Sequence, residues 1–345
     1  MEKQKTAIIT GITGQDGGYL AKFLLEKGYK VIGLVRRGAT DTFVKLKEHG
    51  IFDKIEFVDF DLLEFTNICR IIKKYRPDEF YNLAAQSFVG VSFEEPIYTT
   101  EADGMGVVYI LEAIREFSPH TRYYQASTSE MFGKVQEMPQ TEKTPFYPRS
   151  PYGVAKLMAH WMTTNYRESF GLYTCSGILF NHESPMRGKE FVTRKITSHF
   201  AELYVGKTDK PVELGNLNSK RDWGFAGDYV KMMWLMLQQD HGDTYVIATN
   251  ETHSIREFVE EVAKVCGWDI EWKGEGVDEI GVDKKTGKVL VKINPKFYRP
   301  AEVDILIGNP EKAKKVLGWK RDVDYNALCK MMMERDIERA QNGNL

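Results

Sequence analysis

Tyr152 and Lys156 stand four residues apart in the run Tyr152-Gly-Val-Ala-Lys156, so on a helix they share one face. An ammonium beside a phenol lowers the phenol's pKa and makes it a proton acceptor near neutral pH. Just upstream, Ser127-Thr128-Ser129-Glu130 offers a hydroxyl and a carboxylate, and near the N-terminus Gly11-Ile-Thr-Gly14-Gln-Asp-Gly17 spaces three glycines. A glycine turn between a strand and a helix lets backbone N–H groups meet a dinucleotide pyrophosphate. The expected contacts are Gly11, Thr13, Gly14, Gln15, Asp16 and Gly17. Together these features predict a tyrosine that deprotonates a substrate hydroxyl while a nicotinamide takes the hydride. Alternation along an extended segment puts Thr128 and Glu130 on the same face, so the Glu130 carboxylate enters the pocket of Tyr152. Oxidation or reduction at a hydroxyl needs only the hydroxyl partner and the tyrosine. A base directed at a carbon acid needs a second acceptor, and Glu130 supplies it.

The elements that must hold these residues are legible as alternation. Residues 6–10 (TAIIT) form a short apolar run that reads as a buried parallel strand, and 19–26 carry helical periodicity. Further strand-like runs lie at 30–35, 55–58, 79–83, 122–126 and 174–180, with helical patterns between them. Gly28 ends the first helix, Pro77 follows the one around 66–75, and Pro151 starts the helix bearing Tyr152. The rhythm predicts an α/β fold: a Rossmann-type doubly wound parallel sheet over 1–182 that carries Thr128, Glu130, Tyr152 and Lys156. From about residue 183 the rhythm changes, and 183–345 reads as a smaller α/β region, mainly substrate-binding and partly intertwined with the first. There, Ser254 and Glu257 form a capping box before Phe258, Val262 and Val265, with Gly267 closing the helix. Asn309-Pro310 opens another helix that Gly318 ends. Residues 273–292, rich in Gly, Asp and Lys, read as a surface loop or hairpin covering this region.

Cofactor choice is read at the end of the second strand. NAD-selective folds carry an acidic residue there for the ribose 2′-hydroxyl, but this chain has Arg36-Arg37. Two guanidiniums suit a 2′-phosphate through charge-assisted, often bidentate bonds, which predicts NADP. Asp61-Leu62 after the third strand falls beside the adenine. Leu83, Ala84, Ala85 and Ser87 after the fourth run along the nicotinamide ribose, and His182 after the sixth is the one histidine placed near the cofactor.

Composition bounds the rest. At 345 residues, 42% hydrophobic and 28% charged, the chain can bury a large core. A net charge of −2 gives no reason to expect nucleic acid or an anionic membrane as partner. No apolar stretch approaches the roughly 20 residues of a membrane span. Met1-Glu-Lys-Gln-Lys5 passes straight into the first strand and leaves no room for a signal peptide. Cys69, Cys175, Cys266 and Cys329 have no CxxC spacing, so neither a disulfide framework nor a metal site is expected, and a reducing cytoplasm is.

Several blocks carry a family resemblance: GITGQDG at 11–17, NLAAQSFV at 82–89, QASTSEMFG at 125–133, RSPYGVAK at 149–156, GILFNHESP at 177–185, FVTRKIT at 191–197, LGNLNSKRDWGFAGDYV at 214–230 and FYRPAEVD at 297–304. Over nearly its whole length the sequence resembles the GDP-mannose 4,6-dehydratases of the extended short-chain dehydrogenase/reductase family. Two departures are Met186 before Arg187, where many relatives have a basic residue, and Gly18, where many carry Ser or Ala. The resemblance implies that Tyr152, activated by Lys156, removes the 4-hydroxyl proton as hydride leaves C4 for NADP. It further implies that Glu130 takes the C5 proton, that water leaves C6 with help from Glu130 and Thr128, and that hydride returns to C6. It adds Tyr98 and Arg187 to the cofactor contacts, and Ser87, Asn181, Lys195, Arg221, Arg299 and Glu302 to those of a GDP-sugar. It implies a homotetramer built from dimers. The same chemistry on a GDP-manno-heptose would change only the pocket wall around Ser87, Phe88 and Glu183. A nucleotide-sugar reductase or 4-epimerase is disfavoured by Glu130, and a silent NADP-binding scaffold by the intact Thr128, Glu130, Tyr152 and Lys156 set.

Overall fold

The computed structural model describes residues 3–297 and 306–345. The chain divides into two compact units, one of Met1–Phe180, Ala226–Asn250 and Leu306–Lys320, the other of Asn181–Phe225, Glu251–Ile305 and Arg321–Leu345.

The first unit is built on β1 (Thr6–Thr10), β2 (Lys30–Val35), β3 (Glu56–Asp59), β4 (Glu79–Asn82), β5 (Arg122–Thr128), β6 (Thr174–Leu179) and β7 (Thr244–Ile247). All seven pair in parallel, in the order β7-β6-β5-β4-β1-β2-β3. Ala7, Ile8 and Ile9 are wholly buried, which is why the strand reads as a continuous apolar run rather than an alternation. Helices α1 (Gln15–Glu26), α2 (Phe65–Tyr75), α3 (Gly106–Phe117) and α4 (Pro151–Phe170) connect these strands. The winding reverses between β1 and β4, the point at which doubly wound sheets open a crevice at their carboxyl ends. The expected doubly wound sheet is therefore present. Its seventh strand comes from far down the chain and follows no alternating pattern. α1 starts four residues ahead of its periodic signal at Tyr19, since Gln15, Gly17 and Gly18 are packed inside the turn.

In the second unit, Ile270–Lys273, Ile280–Asp283, Val289–Ile293 and Val212–Leu214 form a four-stranded sheet in that order. Helices Val192–Tyr204, Ile255–Val265 and Tyr325–Gln341 share its core, in which Phe200, Phe258, Leu290 and Met332 are buried. The capping box forms as expected: the Glu257 N–H donates to Ser254 Oγ at 3.1 Å and the Ser254 N–H to Glu257 Oε2 at 2.7 Å. The segment 273–292 corrects one expectation. It is a hairpin, but it lies within the sheet and buries Val282, Leu290 and Val291 instead of covering the surface. Its Gly, Asp and Lys residues fall largely at the turn and strand edges, and they mask an apolar face.

Candidate active site

The ends of β1 and β4 are tied together by Thr10. Its hydroxyl donates to Asn82 Oδ1 at 2.7 Å and accepts the N–H groups of Leu83 and Ala84 at 3.0 Å each. The chain leaving β1 then turns tightly. Gly11 has φ +67°, and a Cβ there would stand 2.8 Å from the Ala84 nitrogen. A Cβ on Gly17 would stand 2.4 Å from the Gly11 carbonyl oxygen. No side chain caps α1 at Gly14. The turn thus brings bare backbone to the mouth of a cleft of about 750 Å³.

That cleft gathers most of the predicted cofactor residues: Gly11, Thr13 and Gly14 from the turn, Arg36 after β2, Asp61 and Leu62 after β3, Leu83, Ala84, Ala85 and Ser87 after β4, and Tyr98. Arg36 Nη1 donates to the Tyr98 hydroxyl at 2.9 Å, which fixes the guanidinium at the rim. Gln15, Asp16, Gly17 and Arg37 do not line it. Leu34, Val35, Phe60 and Ala102 complete an apolar wall that was not singled out in the sequence. Their signal was position, since Phe60 immediately precedes Asp61 and Leu34-Val35 immediately precede Arg36.

The residues expected to transfer protons lie at the end of β5, on the turn after it and at the start of α4. Ser150 caps α4 by accepting the Gly153 N–H at 3.0 Å, and Pro151 occupies its first turn. One turn then separates Tyr152 from Lys156, whose Nζ lies 6.0 Å from the centre of the Tyr152 ring. The Lys156 ammonium donates to the Ala126 carbonyl at 2.8 Å. Burial pushes its pKa below the usual lysine range, and the Asp103 carboxylate acts in the opposite sense.

The backbone at Glu130 takes a course other than the one expected. The backbone does not stay extended past Thr128 but enters a 3₁₀ turn over Ser129–Met131, so the alternation argument fails. Instead Thr128 Oγ1 caps the turn by accepting the Glu130 N–H at 3.2 Å. A Cβ on Gly153 would stand 2.9 Å from the Glu130 carbonyl oxygen, so α4 packs its glycine directly on this turn. Behind them His160, one turn beyond Lys156, shares a 3.1 Å hydrogen bond with Ser127 Oγ, and burial pushes its pKa down to about 4.

The remaining predicted residues belong to the second unit. Asn181 and His182 lie in the strand Asn181–Glu183, paired in parallel with Trp223–Phe225. Glu183 accepts the Thr193 hydroxyl at 2.5 Å and pairs with Arg187 Nε at 3.1 Å. Lys195 Nζ sits 3.9 Å from the centre of the Phe297 ring, with a pKa lowered by burial against the opposing charge of Glu213. Arg221 donates to the Lys220 carbonyl at 2.8 Å. Arg194 and Arg339 were not anticipated. Both donate to the Pro185 carbonyl, at 2.7 and 2.6 Å, and both pair with buried Asp336, which pins the backbone leading to Arg187. Arg299 and Glu302 lie outside the described residues. Among the described residues no group of three or more His, Cys, Asp or Glu side chains could hold a metal ion, and no helix is long and apolar enough to cross a membrane.

A family model for GDP-mannose 4,6 dehydratase matches residues 8–332. The chain belongs to the GDP-mannose 4,6-dehydratase family. Among relatives of that name, one from Dictyostelium discoideum is 51% identical over 99% of this chain and 99% of its own. Another, from Drosophila melanogaster, is 52% identical over 97% of this chain and 87% of its own. The fold extends to more distant nucleotide-sugar enzymes. A UDP-glucose 4-epimerase from Thermus thermophilus, solved with NAD, superposes with a TM-score of 0.78 at 24% identity, covering 96% of this chain and 98% of the epimerase. This family member therefore shares its fold with that epimerase.

Proposed function

We propose that this chain is a hydro-lyase that converts GDP-mannose to GDP-4-keto-6-deoxymannose, with NADP as a cofactor that ends each cycle unchanged. The observation that carries the reading is the packing of the turn bearing Glu130 against α4 at Gly153, the residue after Tyr152. Likeness to GDP-mannose 4,6-dehydratases at about half identity over the whole chain supports the substrate.

The residues divide the work by position. Tyr152, with the Lys156 ammonium 6.0 Å from its ring centre, accepts the 4-hydroxyl proton, and Thr128 holds that hydroxyl. Once C4 is a ketone, the C5 proton is acidified, and Glu130 accepts it. Glu130, now protonated, hands the proton to the departing C6 hydroxyl, so water leaves with no other acid required. NADP, when bound, would supply the acceptor and then the donor of the hydride that moves from C4 to C6; as C6 is reduced, C5 takes a proton from solvent and Tyr152 releases the one it holds, so both groups end the cycle as they began. Its fit rests on the bare-backbone turn at Gly11 and on the Arg36–Tyr98 pair, whose guanidinium suits a 2′-phosphate. We assign cofactor binding to the cleft of the first unit, and contacts with the GDP moiety to Asn181, Lys195, Arg221, Arg299 and Glu302. The assembly is a homotetramer and the compartment the cytoplasm.

Incubation with GDP-mannose, followed by mass spectrometry, tests the reading. A product lighter by one water should accumulate without stoichiometric NADPH. A C4 epimer, or stoichiometric NADPH oxidation, rejects it.

A further inference from the structure

Between the helix Pro96–Thr100 and α3 the chain makes a π-turn over Glu101–Met105. Such a turn inserts an extra residue into a helix and re-aims its side chains, and it recurs at functional sites. Here it drives Asp103 into the interior, with 2% of its surface exposed. Asp103 Oδ1 accepts the Gln86 N–H at 2.8 Å, from the segment that lines the cofactor cleft. Its other oxygen, Oδ2, is equally buried and accepts no hydrogen bond from the described residues. A carboxylate oxygen left in that state is costly unless a charge compensates it.

That charge is on α4. The π-turn lies against this helix so closely that a Cβ on Gly104 would stand 3.6 Å from the Ala155 carbonyl oxygen, next to Lys156. Lys156 is itself buried, and a buried ammonium without a counter-charge gives up its proton. Asp103 is the ionisable group that acts on it. We propose that Asp103 is the counter-charge that keeps Lys156 protonated beside Tyr152, and so a positioning residue of the reaction proposed above, on which this inference rests. Tyr152 needs the charged form of Lys156, because only an ammonium stabilises the phenolate. Through Gln86 the same carboxylate ties the cofactor cleft to the base.

The groups around Asp103 and Lys156 come from the elements packed against them. α4 presents Lys156 with Tyr152 one turn before it and His160 one turn after, and burial holds His160 neutral above about pH 4. The end of β5 presents the Ala126 carbonyl and the Thr128 hydroxyl, with Glu130 on the turn beyond. Residues 83–87 present the Gln86 amide, and on the π-turn itself Glu101 is exposed. Burial raises the Asp103 pKa to about 6, so the counter-charge is complete only above that pH.

Asp103→Asn separates this role from simple anchoring, since an amide oxygen can still accept the Gln86 N–H but carries no charge. Two measurements decide. Melting temperatures of the wild type, Asp103→Asn, Lys156→Met and the double variant at pH 8 form a cycle that needs no substrate. The double variant should lose less than the sum of the single losses. In turnover of GDP-mannose, Asp103→Asn should move the alkaline fall of kcat down by about one pH unit or more, with KM changed by less than about threefold. Additive melting losses overturn the proposal, and so does a wild-type pH profile in Asp103→Asn. An inactive wild type would reject the dehydratase reading and leave the melting cycle to decide on Asp103.

Discussion

Arg36→Ala tests how the cleft chooses its cofactor. Arg36 stands at the end of β2, exposed at the cleft rim, with one N–H group spent on the Tyr98 hydroxyl at 2.9 Å. Arg36 and Asp61 both line the cleft, at the ends of neighbouring strands, where doubly wound folds place the adenine ribose. A hydrogen bond to a charged group contributes about 1.5–3 kcal/mol, which is about 10- to 150-fold in Kd. Solvent exposure and salt screening bring the expectation to the lower end of that range. Calorimetric titration should therefore show NADP binding weakened about tenfold or more at low salt. NAD, which lacks the phosphate, should change by less than about twofold, since the lost contact is absent from it. Tyr98→Phe removes only the group that steadies the guanidinium and should cost NADP about 0.5–1.5 kcal/mol. Arg37 does not line the cleft, so Arg37→Ala should leave both affinities near wild type. Equal losses for NADP and NAD in Arg36→Ala would refute the assignment, as would a selective loss in Arg37→Ala.

Three further outcomes follow from geometry and burial. Gly17→Ala places a Cβ 2.4 Å from the Gly11 oxygen and 2.6 Å from Ile12 Cα, both backbone atoms that cannot swing aside. The turn must open at a cost of about 1–3 kcal/mol, so NADP affinity and melting temperature should fall together, and a variant with wild-type affinity would contradict the cradle. Asp336→Ala strands the guanidiniums of Arg194 and Arg339, which pair with it at 2.7 and 2.9 Å in the interior. Urea unfolding should show a loss of about 3–5 kcal/mol, and a loss below about 1 kcal/mol would show that the ion pairs are not holding the fold. His160 has a folded pKa of about 4 against an ordinary 6.5, so the unfolded chain binds the extra proton and stability falls as pH drops through that window. At about 1.4 kcal/mol per pH unit this amounts to roughly 3 kcal/mol. His160→Gln should flatten melting temperature between pH 6.5 and 4, and an unchanged acid slope would refute the assignment.

How much of this was legible in the sequence depends on whether local pattern and tertiary context agree. β1 and β2 were readable to the residue because strands buried on both faces are apolar throughout. The helix of Tyr152 announced itself through Pro151 at its start. The backbone path at Glu130 was misread as extended, because a 3₁₀ turn capped by Thr128 has no periodicity for a pattern to catch. The hairpin 280–293 was misread as a surface feature since its polar residues outnumber the few that face the core. Asp103 left almost no trace. A π-turn shifts the helical period by one residue, and the small residues Gly104 and Gly106 beside it were the only sign of close packing.

The central claim is that Tyr152 acts on oxygen and Glu130 on carbon, in that order, and comparing Tyr152→Phe with Glu130→Gln tests it most directly. Both variants would be mixed with GDP-mannose in deuterated water, and enzyme-bound NADPH absorbance and deuterium at C5 recorded together. Tyr152→Phe should show neither signal. Glu130→Gln keeps the side chain's size and removes the base, so NADPH should appear while C5 exchange and water loss fall by about 10²- to 10⁴-fold. If Glu130→Gln exchanges C5 and loses water at the wild-type rate, Glu130 is not the carbon-acid base and the separation of the two roles is wrong.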